Sequence, residues 1–221
     1  MSIPTLIMGE SGTGKSTSLR NLDPSKTLLI QAVKKPLPFR SANWAGHVYV
    51  TDNSDKICKA MQSTKADIII IDDFQYTLAN EFMRRVTDQE SGNGAFAKYN
   101  EIARKAWDVF MAASSLPEHK RVYILSHTST DEAGKTKIKT IGKLLDEKIV
   151  LEGLVTIVLR TLKINDQYVF ATQNSGSDTT KSPLGLFAED HIENDLAEVD
   201  RAICEYYGIT NLNQDANHVQ P

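Results

Sequence analysis

The chain has few cysteines, no long apolar run and no large excess of charge of either sign. Cys58 and Cys204 are its only cysteines, too few for a disulfide scaffold or for a metal site made of cysteines alone. We therefore expect two reduced thiols in a cytoplasmic protein. No apolar run approaches the length that crosses a bilayer, and the first residues lack the basic leader and apolar core of a secretory signal peptide. The sequence thus predicts no association with a membrane.

The composition that is present is typical of one folded domain. The 221 residues include 25 basic and 28 acidic residues, a formal charge of −3, with 41% hydrophobic and 24% charged residues. These fractions exclude a disordered or collagen-like chain, and the length suits one domain better than two. Because the charge is almost balanced, a nucleic-acid partner would bind a local basic patch rather than a basic body.

Apolar segments alternate with turn residues in the manner of a βαβ fold. Five short apolar runs predict strands: Thr5–Met8, Thr27–Ile30, His47–Val50, Ile68–Ile71 and Arg121–Leu125. The consecutive isoleucines at 68–71 are typical of a strand buried on both faces of a parallel sheet. Two later runs, Leu154–Leu159 and Gln167–Ala171, predict an antiparallel pair.

Helical patterns separate these strands. We expect helices from Lys15 to about Asp23, over 57–65 and 75–87, and over a long amphipathic stretch that ends before Pro117. A last helix is expected from Asp195 to Gly208. The predicted fold is therefore α/β, with a mainly parallel sheet flanked by helices and an antiparallel C-terminal edge. It would occupy residues 1–210 as one domain, followed by a flexible tail over 211–221.

A glycine-rich segment follows the first predicted strand and precedes the first predicted helix. Residues 9–16 read GESGTGKS, which is the G-x-x-x-x-G-K-S pattern of a P-loop. Glycines let successive backbone N–H groups turn toward a bound phosphate, and a helix N-terminus adds partial positive charge. Lys15 would reach the β- and γ-phosphates, and Ser16 would give Mg²⁺ one oxygen ligand. The expected nucleotide-binding residues are Gly9, Glu10, Ser11, Gly12, Thr13, Gly14, Lys15, Ser16 and Thr17.

An acidic pair ends the isoleucine strand. A nucleotide-bound Mg²⁺ prefers a carboxylate held at the end of a rigid strand, and Asp72 occupies that place, with Ser16 as the other protein ligand. Asp73, one residue further along, could polarise an attacking water. Alone, these residues could simply cap a strand; behind the glycine-rich motif they favour ATP with Mg²⁺. Lys15, Asp72 and Asp73 are then the expected catalytic residues.

A lysine-rich segment follows the fifth predicted strand. Its basic residues are Lys135, Lys137, Lys139 and Lys143, with no acidic residue between them. If the segment is extended, the first three share one face at period two, a spacing that could follow a nucleic-acid backbone. The alternative is a solvated edge strand whose lysines prevent aggregation. We expect a loop or a hairpin over 129–139.

The chain resembles the RecA-like ATPases encoded by bacteriophages in the order of its segments: GESGTGKS, IIIIDDFQY, a long helix ending FMAASSLP, then RVYILSHT and the lysines. It is most similar to the fourth Sak class of single-strand annealing recombination proteins, over about residues 3–208. The resemblance implies a RecA-like P-loop NTPase core, ATP hydrolysis, single-stranded DNA as partner and a homo-oligomeric ring or filament. It also implies that His127 is a catalytic residue that senses the γ-phosphate, and that residues 128–148 approach DNA. The alternative for His127 is a hydrogen-bonding residue at the end of a strand.

Two positions depart from the pattern of that family. RecA-like proteins commonly carry a catalytic glutamate after the second strand, but the similar stretch here ends in Val33, so Asp73 could substitute or hydrolysis could be slow. Relatives also carry a Lys-x-Arg-x-Gly element that reaches a neighbouring subunit's nucleotide. This chain keeps Lys181 without the arginine. Lys181, with Arg160 as the alternative, is the expected contact in trans, unless it is simply a solvated lysine.

Three functions remain open from the sequence. The first is a DNA-dependent ATPase of phage recombination or replication that promotes strand annealing, with a single-strand binding protein as a candidate partner. The second is a non-hydrolysing nucleotide switch that recruits another protein, which the missing glutamate favours. The third is a small-molecule phosphotransferase, which is disfavoured because residues 128–148 offer lysines but no arginine. The lack of aromatic residues near those lysines weakens the DNA interpretation.

Overall fold

A computed structural model describes residues 1–87, 93–142 and 144–209, and in these ranges the chain forms an α/β fold around one mixed sheet of nine strands. The strands are Ile3–Gly9 (β1), Thr27–Gln31 (β2), Val48–Val50 (β3), Ile68–Asp72 (β4), Arg121–Thr130 (β5), Thr136–Ile138 (β6), Ile157–Ile164 (β7), Gln167–Ala171 (β8) and His191–Glu193 (β9). The α-helices are Ser54–Ser63 (α1), Gln75–Arg84 (α2), Asn93–Ser114 (α3) and Leu196–Tyr207 (α4).

The sheet is parallel through its centre and antiparallel at one edge. Strands β3, β2, β4, β5, β1 and β7 lie side by side in that order and run parallel, and β8 and β9 continue antiparallel beyond β7. β1 lies between β5 and β7, with Gly9 beside His127 and Met8 beside Arg160. Because the carboxyl ends of parallel strands meet at one edge, β1, β2, β4 and β5 all end there. The predicted sheet organisation is confirmed.

The core lies on both faces of this sheet. Ile69 and Ile71 belong to the apolar cluster covered by α1, α2 and α3, whereas Ile68 and Ile70 face the cluster covered by α4. All four isoleucines are buried, which confirms the prediction of a strand enclosed on both sides. β4 is therefore a rigid element, and the acidic residues at its end have a fixed position.

Two local features differ from the sequence expectation, and a third follows one of its alternatives. The segment after the glycine-rich stretch forms a 3₁₀ helix, Ser16–Asn21, rather than an α-helix. The Ser18 hydroxyl donates to the Lys15 carbonyl at 2.6 Å, a local bond that competes with α-helical pairing. Residues 129–139 form a hairpin between β5 and β6, one of the two expected alternatives. Strand β9 was not predicted.

Two parts of the sequence prediction lie outside the described residues: Lys143, and the flexible tail expected over 211–221. Among the residues that the structure describes, no helix combines the length and the apolar character needed to span a bilayer.

A buried ion pair fastens α4 to the sheet. The Arg121 guanidinium in β5 donates two hydrogen bonds to the Asp200 carboxylate in α4, at 2.9 and 3.0 Å. The Tyr123 hydroxyl donates a third at 2.6 Å. Arg121 is only 2% exposed and Tyr123 is fully buried, so this charge is satisfied inside the protein rather than by water.

Candidate functional site

The glycine-rich loop (residues 9–15) leaves β1 at the carboxyl edge of the sheet and is packed closely on its neighbours. A side chain at position 9 would overlap the Thr161 hydroxyl of β7. Gly14 has φ +102°, a left-handed conformation that favours glycine, and a side chain there would approach the Tyr168 ring to 3.1 Å. The Thr13 hydroxyl bonds to that of Thr161 at 2.6 Å. The two glycines are thus required by space and by backbone conformation.

Lys15 is the buried cation of this loop. Its ammonium donates to the carbonyl oxygens of Gly9 and Glu10, each at 2.8 Å, and the residue is only 6% exposed. Burial lowers the pKa of Lys15 to about 8, against the opposing pull of Asp73 and Asp72. The loop therefore holds a positive charge at its centre that water solvates poorly.

Ser16 and Asp72 connect the loop to the isoleucine strand. The Ser16 hydroxyl lies 3.0 and 3.2 Å from the two carboxylate oxygens of Asp72. Ser16 lines the cleft described below, whereas Asp72 is 1% exposed and is not among the lining residues. Burial, together with the neighbouring charge of Asp73, raises the pKa of Asp72 to about 6. The structure thus brings together the two residues that the sequence predicts as metal ligands.

Replacing Asp72 with asparagine is expected to stabilise the fold in a pH-dependent way. The folded chain holds the Asp72 proton more tightly than the unfolded chain, with a pKa of about 6 against 3.8. The contribution of Asp72 to the free energy of unfolding is therefore fully present below pH 3.8, the pKa in the unfolded chain, and is lost as the pH rises through 6. Neutral asparagine avoids that loss, so urea unfolding should show a gain of about 1–3 kcal/mol, larger at pH 8 than at pH 5.

Asp166→Asn is the matched control for this change, because the Asp166 side chain is 94% exposed in a turn. Its effect on the free energy of unfolding should stay within about 0.5 kcal/mol at both pH values. Equal stability of wild type and Asp72→Asn at pH 8 would show that burial does not disfavour the Asp72 carboxylate.

Asp73 lies at the centre of a second set of charges. Its backbone is left-handed, with φ +60°, and its carboxylate is paired with the Lys35 ammonium on one oxygen and with His127 Nε2, at 3.4 Å, on the other. Burial alone would raise the pKa of Asp73, but the bonds from His127 and Lys35 outweigh it and lower the value to about 2. A carboxylate held in this way is a weak base.

An open cleft of about 470 Å³ brings these elements together. Its walls are the glycine-rich loop, the segment after β2 that includes Val33 and Lys35, and the aromatic rings of Tyr76 and Tyr168. The His127 ring also lines the cleft and packs edge-on against Tyr76, with centroids 6.0 Å apart. Lys15, Asp73 and His127, predicted from three distant segments, therefore meet in one place.

Three of the predicted lysines lie in and around β6: Lys137 is in the strand, and Lys135 and Lys139 directly precede and follow it. Thr136 and Ile138 are buried, whereas Lys135 and Lys139 are exposed and Lys137 is half-buried. The three lysines thus share one face, as predicted. The Lys139 backbone N–H donates to the His127 carbonyl at 2.8 Å, so the lysine strand is bonded directly to a residue that lines the cleft.

The two candidates for a contact in trans differ in their surroundings. Arg160 is paired with Asp178 of the same chain at 3.2 Å, and both side chains are largely buried. Lys181 exchanges backbone hydrogen bonds with Val158 at 2.8 and 2.9 Å and is half-buried. Because Arg160 is committed within its own chain, Lys181 is the better placed of the two.

Sequence comparison adds no identification: no protein-family model matches the chain, and no curated protein matches it significantly. The functional argument therefore depends on the geometry. The sequence did not single out Lys35, Tyr76 or Tyr168 as residues of the cleft, nor Thr161 beside the loop. The basic pair Lys34-Lys35 is visible in the sequence, but a lysine in a loop is usually solvated, and only the fold shows its partner. Tyr168 lies in a strand with no pattern that marks it.

Proposed function

We propose that this protein has a P-loop NTPase core, binds ATP with Mg²⁺, hydrolyses it, and binds single-stranded DNA. The observation that carries the nucleotide part is the meeting of Lys15, Ser16 and Asp72 at one edge of the sheet. Lys15 and Asp72 are far apart in sequence and are both almost completely buried. Burying a cation and an anion is costly unless they serve each other or a ligand, which favours a charged ligand at this edge.

The loop suits a triphosphate. The 3₁₀ helix after it has only six residues, so the backbone N–H groups of the loop and the Lys15 ammonium would supply most of the positive charge. Lys15 now donates to two carbonyl groups of the loop. Phosphate oxygens carry more negative charge than carbonyl oxygens and are the stronger acceptors for an ammonium.

Ser16 and Asp72 suit a magnesium ion. Hydroxyl and carboxylate oxygens are the ligands that Mg²⁺ prefers, and it keeps several waters and substrate oxygens as its remaining ligands. The described residues contain no group of three or more His, Cys, Asp and Glu side chains that could hold a metal by themselves. An ion here would therefore depend on the bound phosphates, where it would neutralise their charge during hydrolysis.

The arrangement of Asp73 and His127 favours slow hydrolysis. Asp73 is held by two partners, and Val33 lines the cleft where a glutamate is expected from the resemblance. Neither residue supplies a ready general base in this arrangement. A nucleotide switch that binds ATP without turnover is therefore the second candidate function.

The DNA part of the proposal depends on the lysine strand. Lys135 and Lys139 flank β6 and are exposed, and the backbone bond between Lys139 and His127 gives a direct connection to the cleft. A phage recombination or annealing role, a homo-oligomeric ring or filament, and a contact in trans through Lys181 follow from the resemblance. We include these three points in the proposal on the basis of that resemblance.

Measuring single-stranded DNA binding with and without a non-hydrolysable ATP analogue tests this proposal. We expect the analogue with Mg²⁺ to increase the affinity for an oligonucleotide, and the double variant Lys135→Ala/Lys139→Ala to lose about tenfold of it at 0.1 M salt. The slope of log affinity against log salt should fall by about 1.4, since each lost phosphate contact on a single strand removes about 0.7. Fluorescence anisotropy over a series of salt concentrations measures both quantities.

The matched control is Lys56→Ala/Lys59→Ala, which removes the same charge from exposed positions on α1. It should leave the salt slope unchanged if binding is local to β6. Equal DNA affinity with and without the analogue would contradict the coupling between nucleotide binding and DNA binding. An equal loss of affinity in both double variants would show that net charge, rather than the position of the lysines, causes the loss.

A further inference from the structure

Lys35 is a cation that lines the cleft and has no role in the nucleotide site as proposed above. It lies in the segment that follows β2 and pairs with Asp73 across 38 positions of sequence. Its side chain is 41% exposed, whereas that of Asp73 is 3% exposed. The pair therefore joins a solvent-accessible ammonium to a buried carboxylate.

The fold holds the Lys35 segment in place from both sides. The Gln31 side-chain amide, at the end of β2, donates to the Lys35 carbonyl at 3.2 Å. Further along, Leu37 and Phe39 pack against the apolar cluster under α4, and Phe39 contacts Trp44 edge-on with ring centroids 6.3 Å apart. The backbone of Lys35 is thus fixed at the cleft, while its long side chain can reorient.

Lys35 lies in the same electrostatic group as Lys15. The Lys35 charge acts on Lys15, and its attraction to Asp72 and Asp73 raises the pKa of Lys35 even though burial opposes it. Two ammonium groups and the Asp73 carboxylate therefore line the same cleft, and the buried Asp72 carboxylate attracts both lysines. In the proposed function Lys15 would meet the β- and γ-phosphates in this cleft.

Asp73 does not depend on Lys35 alone. Its other carboxylate oxygen faces His127 Nε2 at 3.4 Å, so Asp73 keeps a partner if Lys35 moves. A terminal phosphate carries close to two negative charges at neutral pH, against one on a carboxylate. A triphosphate at the glycine-rich loop would therefore compete with Asp73 for the Lys35 ammonium.

We propose that Lys35 is a further phosphate-binding residue, whose ammonium leaves Asp73 and binds the terminal phosphate of a nucleoside triphosphate. This inference rests on the proposed function and deepens it, since it assigns discrimination between triphosphate and diphosphate to Lys35. A diphosphate bound through Lys15 lacks the group that Lys35 would bind. Lys35 then stays with Asp73.

Calorimetric titration with Mg²⁺ tests this by comparing ADP with a non-hydrolysable ATP analogue. Lys35→Ala should weaken binding of the analogue about tenfold, the effect of one charge-assisted hydrogen bond after its exchange with Asp73. The affinity for ADP should change less than twofold, which also shows that the variant is folded. Lys35→Arg should restore most of the preference, because it keeps the charge and the donors.

Lys34→Ala is the matched control, since it removes the same charge from the adjacent exposed residue. It should leave the ratio of the two affinities unchanged. Equal losses for both nucleotides in Lys35→Ala, or no loss for either, would overturn the assignment to the terminal phosphate while the nucleotide site itself stands. If wild-type protein binds neither nucleotide, the proposed function fails, and the inference with it.

Discussion

Lys15→Ala should weaken ATP binding by about 100-fold and abolish hydrolysis. Lys15 is 6% exposed and donates its hydrogen bonds at the centre of the glycine-rich loop. Truncating one partner of a buried charge-assisted contact costs about 2–5 kcal/mol, which is roughly 30- to 4,000-fold in affinity. Equilibrium titration with a non-hydrolysable ATP analogue measures the first effect. Phosphate release with and without single-stranded DNA measures the second.

The folded state should survive this substitution. Burial already lowers the pKa of Lys15 to about 8, so the fold disfavours its charge, and removing that charge relieves a cost. A thermal melt close to that of wild type would establish this point, and Lys34→Ala controls for the loss of one positive charge. ATP binding at wild-type affinity in the folded Lys15→Ala protein would refute the nucleotide site.

The largest loss of stability is expected from Asp200→Ala. Asp200 neutralises the buried Arg121 guanidinium and accepts from the Tyr123 hydroxyl at 2.6 Å. Removing one partner of a buried ion pair leaves the other charge without compensation, which costs about 3–5 kcal/mol. Since a domain is stable by only about 5–15 kcal/mol, this variant should unfold at far lower urea concentration than wild type.

Two comparisons separate this effect from the general loss of a charge on α4. Glu198→Ala removes an exposed carboxylate from the same helix, where it pairs with Arg201, and should cost less than about 1 kcal/mol. The double variant Arg121→Leu/Asp200→Leu should recover much of the stability that Asp200→Ala loses, because apolar residues can replace a buried pair. A double variant as unstable as Asp200→Ala would mean that the pair is not the source of the loss.

The sequence predicted the structure correctly at positions where a single physical requirement, such as burial or lack of space, determines the residue type. Consecutive isoleucines suit a strand enclosed on both faces, and Ile68–Ile71 is such a strand. The glycine-rich motif requires close backbone approach, and Gly9 meets Thr161 with no room for a side chain. Because parallel strands end at one edge, Asp73 and His127 could be expected near the loop once their strands were recognised.

The sequence did not predict the role of residues whose contact partner is set by the fold. Lys35 has no local feature that separates it from Lys34, yet of these two lysines it is Lys35 that the structure shows paired with Asp73. The 3₁₀ helix after Lys15 was mistaken for an α-helix because hydrophobic spacing does not register the competing bond of the Ser18 hydroxyl. Both depend on geometry that residue patterns do not encode.

The position of β1 between β5 and β7 has a consequence for synthesis on the ribosome. The glycine-rich loop is translated well before its neighbours Thr161 and Tyr168, which lie in β7 and β8. At about 5–20 residues per second, the delay between Gly9 and Tyr168 is about 8–30 seconds. Until β5 is made, Leu6 and Ile7, which are fully buried in the finished sheet, lack both of their partner strands, and until β7 is made they lack one of them. The proposed nucleotide site is therefore completed only after β7 and β8 are made, so we expect a nucleotide to stabilise the late steps of folding rather than the early ones.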